Sequence, residues 1–193
     1  MKLGPDWIAA CPVCACNPEK RPHYPKDWNP DNCPYSRLNH PEAATRVMPI
    51  TPNSPAPYRL LNSGNVVLTP SHDTMRRIYD IVATSDEVSR FQFPDQDLLS
   101  HVFRNRWQPL PYVYNGIKPS RKQHAHMWRD EEVKVVHYVL PEKPWHQRHR
   151  ENDPYATLYT WWWNAWDACY DEILPRLTND DVGYLEQHMA RTS

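Results

Sequence analysis

Val133-Lys-Val-Val-His-Tyr-Val-Leu-Pro-Glu-Lys-Pro-Trp145 reads as a buried strand that delivers a histidine, followed by a lysine held between turn residues. Val133, Val135, Val136, Tyr138 and Val139 are β-branched or aromatic, and Pro141 stops the run. His137 therefore sits within a strand. Lys143 sits on the loop beyond it, stiffened by Pro144 and Trp145. An imidazole and an ammonium near one strand end suit a divalent metal that carries a phosphate. The ordinary alternative is a strand histidine satisfied within a core.

Working outward, Leu60 to Leu68 gives a second strand, with Gly64 marking a close backbone approach. Ser71 is a suitable N-cap for a helix over about 72–83, in which Met75, Ile78, Tyr79 and Val82 share a stripe. A short helix opens near Asp95 and buries Leu98, Leu99, Val102 and Phe103. A longer one spans about 155–174, with Leu158, Trp161, Trp162, Ala165 and Cys169 on one stripe and Trp163 and Asp167 off it. A last short helix covers about 179–189. Strands alternating with helices define an α/β chain. Only two strands are legible, centred on residues 66 and 136, and they are expected to be neighbours in one sheet. Valines 66, 67, 135 and 136 are expected to be nearly inaccessible there.

The 193 residues hold 22 basic and 23 acidic side chains, a net charge of −1 that gives no bias toward nucleic acid. Twenty-one prolines against four glycines, with a mean hydropathy of −0.82, describe a loop-rich chain. The nine tryptophans are mostly core bulk. No apolar leader or long apolar stretch is visible, so neither membrane span nor secretion is expected, and a cytoplasmic location is the default. Five cysteines are an odd number and speak against a disulfide framework. Residues 11–57 are dense in Pro, Asn and Asp and carry no apolar periodicity.

Four motifs stand in order: Asn62-Ser-Gly64, Asp95-Gln96, Tyr114-Asn115 and His137…Lys143-Pro-Trp145. Together they resemble the glycogenin and galactinol-synthase-like glycosyltransferases of family 8, over roughly residues 58–150. The resemblance implies a GT-A fold, the nucleotide-diphospho-sugar transferase fold, and transfer of a hexosyl group from a UDP-sugar to an acceptor hydroxyl. It implies roles for single residues as well. His137 would complete a manganese shell whose other ligands come from an Asp-x-Asp, and Lys143 would meet the diphosphate. Asn62, Ser63, Gly64 and Asn115 would lie against the donor, while Asp95 and Gln96 would grip the hexose at the reacting carbon. Each residue also has a plain reading: a turn at Asn62-Ser-Gly64, a helix cap at Asp95, a solvated lysine at 143.

Asp95-Gln-Asp97 spells Asp-x-Asp, yet no apolar strand leads into it, and its place suits the Asp-Gln pair. The family's nucleotide-binding half would precede these motifs. The chain is accordingly expected to be a C-terminal portion of the fold: one partial domain with an incomplete sheet and flanking helices. Its parts would be an irregular region over 1–57, a core over 58–150 and helices over 151–193. Such a portion is expected to be inactive by itself. The alternative is a non-catalytic remnant or a zinc-stabilised binding module. Cys11-Pro-Val-Cys14 is half of a zinc site, which Cys16 or Cys33 would complete. His124-Ala-His126 and the cluster ending at His149 read as solvated loops.

Overall fold

A computed structural model describes residues 3–148 and 152–190, so His149 lies outside the described residues. The chain divides into two compact units, Met1–His137 and Tyr138–Ser193. It is a mixed α/β protein with small sheets.

In the first unit, β1 (Ile8–Pro12) lies at the centre of a three-stranded sheet, between β2 (Leu61–Leu68) and β3 (Trp107–Pro109). β1 is antiparallel to β2, pairing Ile8 with Leu68 and Ala10 with Val66, and the register slips between Ala10 and Pro12. It is parallel to β3, where Ile8 faces Trp107. Every residue of β1 is buried. Its small Ala9 and Ala10 let neighbouring layers close on the sheet, and no period-2 alternation betrays it in the sequence. For that reason neither β1 nor β3 is expected from the sequence pattern.

Ile8, Ala10, Leu61, Val102, Phe103 and Trp107 form the core. Helices α1 (His72–Thr84) and α2 (Pro94–Val102) supply its lid through Ile78, Ile81, Leu98 and Leu99. Ser71 caps α1 as expected, its hydroxyl accepting from the Thr74 N–H at 3.3 Å. The stripe differs from expectation. Ile78 and Ile81 face the core, whereas Met75, Tyr79 (66% exposed) and Val82 face outward.

The strand at 133–139 also needs correction. Only Val136–His137 forms β5, and it pairs in parallel with β4 (Gly116–Ile117) in a separate two-stranded sheet. Lys134 and Val135 both donate their N–H to the Val113 carbonyl, so that segment follows a loop instead of a ladder. The four valines are accordingly not inaccessible: Val67 is 46% and Val135 40% exposed. Val67 opens to solvent because successive side chains of a strand point to opposite faces, and its neighbour Val66 takes the face that packs on the core. The Pro-rich region carries three short 3-10 turns, at Pro30–Asn32, Glu42–Ala44 and Ala56–Arg59. It still buries Trp28, Cys33, Tyr35 and Leu38. Helix α3 (Ser120–Gln123) follows β4.

The second unit holds α4 (Ala156–Ile173) and α5 (Asn179–His188). On α4 the buried residues are Leu158, Tyr159 and Trp163, while Ala165 and Cys169 are exposed. The buried stripe is therefore rotated from the expected one. Trp163 turns inward because its indole N–H finds the Pro144 carbonyl at 3.0 Å, and Arg148 lies 4.1 Å above its ring. No helix among the described residues is long and apolar enough to cross a membrane.

Candidate functional site

Six of the expected residues gather at one end of the first unit's sheet, where β2 meets the first turn of α2. Pro94 occupies the first turn of α2, where its fixed φ and missing N–H cost nothing. That start aims Asp95 and Gln96 at β2. The Ser63 hydroxyl donates to the Asp95 carboxylate. The Asn62 amide donates to Gln96 Oε1 at 3.1 Å, and the Asn115 amide donates to Asn62 Oδ1 at 2.7 Å. Asn62 Oδ1 also accepts from the Gly64 N–H at 3.0 Å.

The result is a relay of three amides, Asn115 to Asn62 to Gln96, of which Asn115 is 1% and Gln96 6% exposed. Its ends are open. Gln96 Nε2 is a buried donor and Asn115 Oδ1 a buried acceptor, each without a partner among the described residues. Buried amide atoms left in that state cost of the order of 1–3 kcal/mol each, so a polar guest or water is favoured beside them.

His137 joins the same place although its strand belongs to the other sheet. A Cβ added at Gly64 would lie 2.1 Å from His137 Cε1 and 2.2 Å from Nδ1. The ring therefore rests on the bare backbone of residue 64. The β4–β5 ladder also brings Lys118 alongside, its N–H donating to the His137 carbonyl at 3.0 Å. Lys118 is 1% exposed, and sequence reasoning missed it because a lysine between Ile117 and Pro119 looks like an ordinary loop cation. Lys143 lies in the second unit, where its ammonium donates to the Tyr138 carbonyl. A hollow of about 750 Å³ opens elsewhere in the first unit, lined by Trp28, Phe93, Asp97 and Trp107 among others. It takes in none of the expected residues.

A manganese ion needs several hard oxygen ligands beside a histidine. Among the described residues no group of three ligating side chains includes His137. Asp97 is tied to its own turn, accepting from the N–H groups of Gln92 and Phe93 at 2.8 and 3.0 Å. Asp95 holds Ser63. The described residues thus do not fit a manganese shell by themselves.

A different group does assemble. Cys14, Cys16, Cys33 and His124 bring their ligand atoms within 4.8 Å of one another. This corrects the zinc reading of the sequence in two ways. Cys11 is not a member: its thiol donates to the Pro111 carbonyl at 3.0 Å, and burial pushes its pKa up to about 12. His124 replaces it, and is 1% exposed instead of solvated. Hydrogen bonds with Cys14 and Cys16 drive the Cys33 thiol far below its ordinary value, while sharing with Cys16 and Cys33 raises that of Cys14. No local signal marked His124, which follows Arg121-Lys-Gln123 and precedes Ala125-His126 like an ordinary polar loop residue.

The family model described as Glycosyl transferase family 8 matches residues 52–149. The chain belongs to glycosyltransferase family 8. It is 26% identical over 118 residues to galactinol synthase 1 of Solanum lycopersicum, covering 58% of this chain and 36% of that protein. It is 30% identical over 118 residues to galactinol synthase 3 of Arabidopsis thaliana, covering 58% and 34%. To the glycogenin of Neurospora crassa it is 28% identical over 116 residues, covering 58% and 16%. The chain thus spans about a third of those galactinol synthases and about a sixth of that glycogenin. No solved structure matches it.

Proposed function

We propose that this chain supplies the hexose-handling part of a GT-A glycosyltransferase, which moves a hexosyl group from a UDP-sugar to an acceptor hydroxyl. The observation that carries the reading is the amide relay with a free donor at Gln96 and a free acceptor at Asn115. A sugar hydroxyl both donates and accepts, so vicinal hydroxyls complement such a pair. In this reading Asp95 and Gln96 hold the hexose near the reacting carbon, and Asn62, Ser63, Gly64 and Asn115 line the donor. His137, resting on Gly64 beside them, would face the departing diphosphate. Preorganised charge at the leaving group is usually the largest catalytic contribution, so the described residues support binding better than turnover.

The test is saturation-transfer NMR on the 193-residue chain with UDP-glucose and UDP-galactose, alongside a manganese-dependent transfer assay. Saturation should reach the hexose protons, fall at least several-fold in Gln96→Ala, and come with little or no transfer. Saturation confined to the uridine would sink the hexose assignment, and brisk transfer would show that carboxylates already present do the work. A second reading, a non-catalytic binding module, is favoured by the cysteine–histidine cluster. It predicts free-hexose binding with no preference for the nucleotide form.

A further inference from the structure

We propose that Cys14, Cys16, Cys33 and His124 are the four ligands of a structural zinc ion. This site is independent of the hexose-handling reading. The three sulfurs lie 3.4, 3.3 and 3.6 Å from a single atom, His124 Nε2, and the Cys14 and Cys33 sulfurs are 3.9 Å apart. An imidazole Nε2 carries at most one proton, so it cannot direct a hydrogen bond at three sulfurs at once. A tetrahedral zinc, with bonds of about 2.3 Å to sulfur and 2.0 Å to nitrogen, separates its ligand atoms by about 3.5 Å (S to N) and 3.8 Å (S to S). The observed spacings are those of a coordination shell. A disulfide is a poorer account, since its sulfurs would stand about 2.05 Å apart, and all five cysteines are free.

Four closed protein ligands with no solvent position define a structural site, distinct from any catalytic metal. The bound ion holds all three sulfurs as thiolates, any remaining thiol proton going to solvent, and leaves a site of net charge −1. Its mechanical effect follows from where the ligands come from. Cys14 and Cys16 leave the end of β1, Cys33 closes the turn at Pro30–Asn32, and His124 ends α3. The ion would therefore fasten the irregular excursion between β1 and β2 to α3. That stretch has no sheet ladder of its own to hold it. One neighbour supports the ligands: the Tyr35 hydroxyl donates to the Pro12 carbonyl at 2.7 Å, and its ring meets the His124 ring edge-on at 5.8 Å.

Elemental analysis of the chain purified without chelator should find about one zinc per chain. Replacing it with Co²⁺ should give tetrahedral visible bands together with near-ultraviolet sulfur-to-cobalt charge transfer. Cys33→Ser and His124→Ala should lose the metal, while Cys11→Ser and Cys169→Ser should retain it. Since the first two variants risk misfolding, His124→Cys provides a control: it should restore one zinc per chain and raise the charge-transfer intensity of the cobalt form. Chelation of the native chain should open residues 14–58 to proteolysis, reversibly on adding zinc. Substoichiometric zinc in the native chain, retention of metal by folded Cys33→Ser, or a Cys14–Cys33 disulfide in the intact mass would each overturn the assignment.

Discussion

At the scale of single residues, Gly64 and His137 form a complementary pair. The imidazole occupies the space a methyl group would need, and a histidine ring has only two rotatable bonds with which to yield. Gly64→Ala should therefore cost about 1–3 kcal/mol of unfolding free energy. In a His137→Ala background the same substitution should be close to neutral. A double-mutant cycle by urea denaturation measures the coupling, and additive effects would mean the ring does not rest on residue 64. Asp130 carries the clearest acid–base consequence. Arg121 grips its carboxylate through two hydrogen bonds of 2.9 and 2.8 Å, the Trp128 indole adds a third, and together they lower its pKa. The stability this group contributes is full above the unfolded carboxylate value, roughly pH 4, and disappears as pH falls through the lower folded value. Asp130→Asn should cost about 1 kcal/mol at pH 7, since solvent screens a partly exposed pair. The gap between variant and wild type should narrow progressively in unfolding curves as pH falls below about 4. A gap that stays constant with pH would assign the loss to packing instead.

At the scale of elements, α4 separates periodicity from environment. Its aromatic residues allow more than one buried stripe, and the partner that decides between them is the polar edge of an indole. Trp163 satisfies its N–H on Pro144 and carries Arg148, which in turn grips Asp167 at 2.8 and 2.6 Å. Trp163→Ala should therefore cost about 3–5 kcal/mol, and Cys169→Ala less than about 0.5 kcal/mol. Thermal denaturation of the two variants distinguishes this arrangement from one in which Cys169 faces inward. The same logic explains α1: Ile78 and Ile81, adjacent across one turn, meet the core, whereas the wider stripe through Met75 and Tyr79 turns to solvent.

At the scale of the whole molecule, the helices were legible because a capping serine, a proline at a first turn and a 3.6-residue period are local signals. Ser71, Pro94 and the run from Ala156 carry them. The family was legible for a related reason, since motifs in fixed order survive in a linear string, and the match over residues 52–149 includes all four. What the string does not contain is which strand takes the middle of a sheet. β1 is short, made of small residues and buried on both faces, and it gains its identity only from partners 50 to 100 residues away. The meeting of Gly64 with His137 across two different sheets has the same character, as do the choice of His124 over Cys11 beside three sulfurs and the burial of Lys118. Local propensity acts through neighbours in sequence, so the sequence by itself determined the helices, the strand at Leu61–Leu68 and the family. Coordination, close approach and burial act through neighbours in space, and these only the folded chain decided.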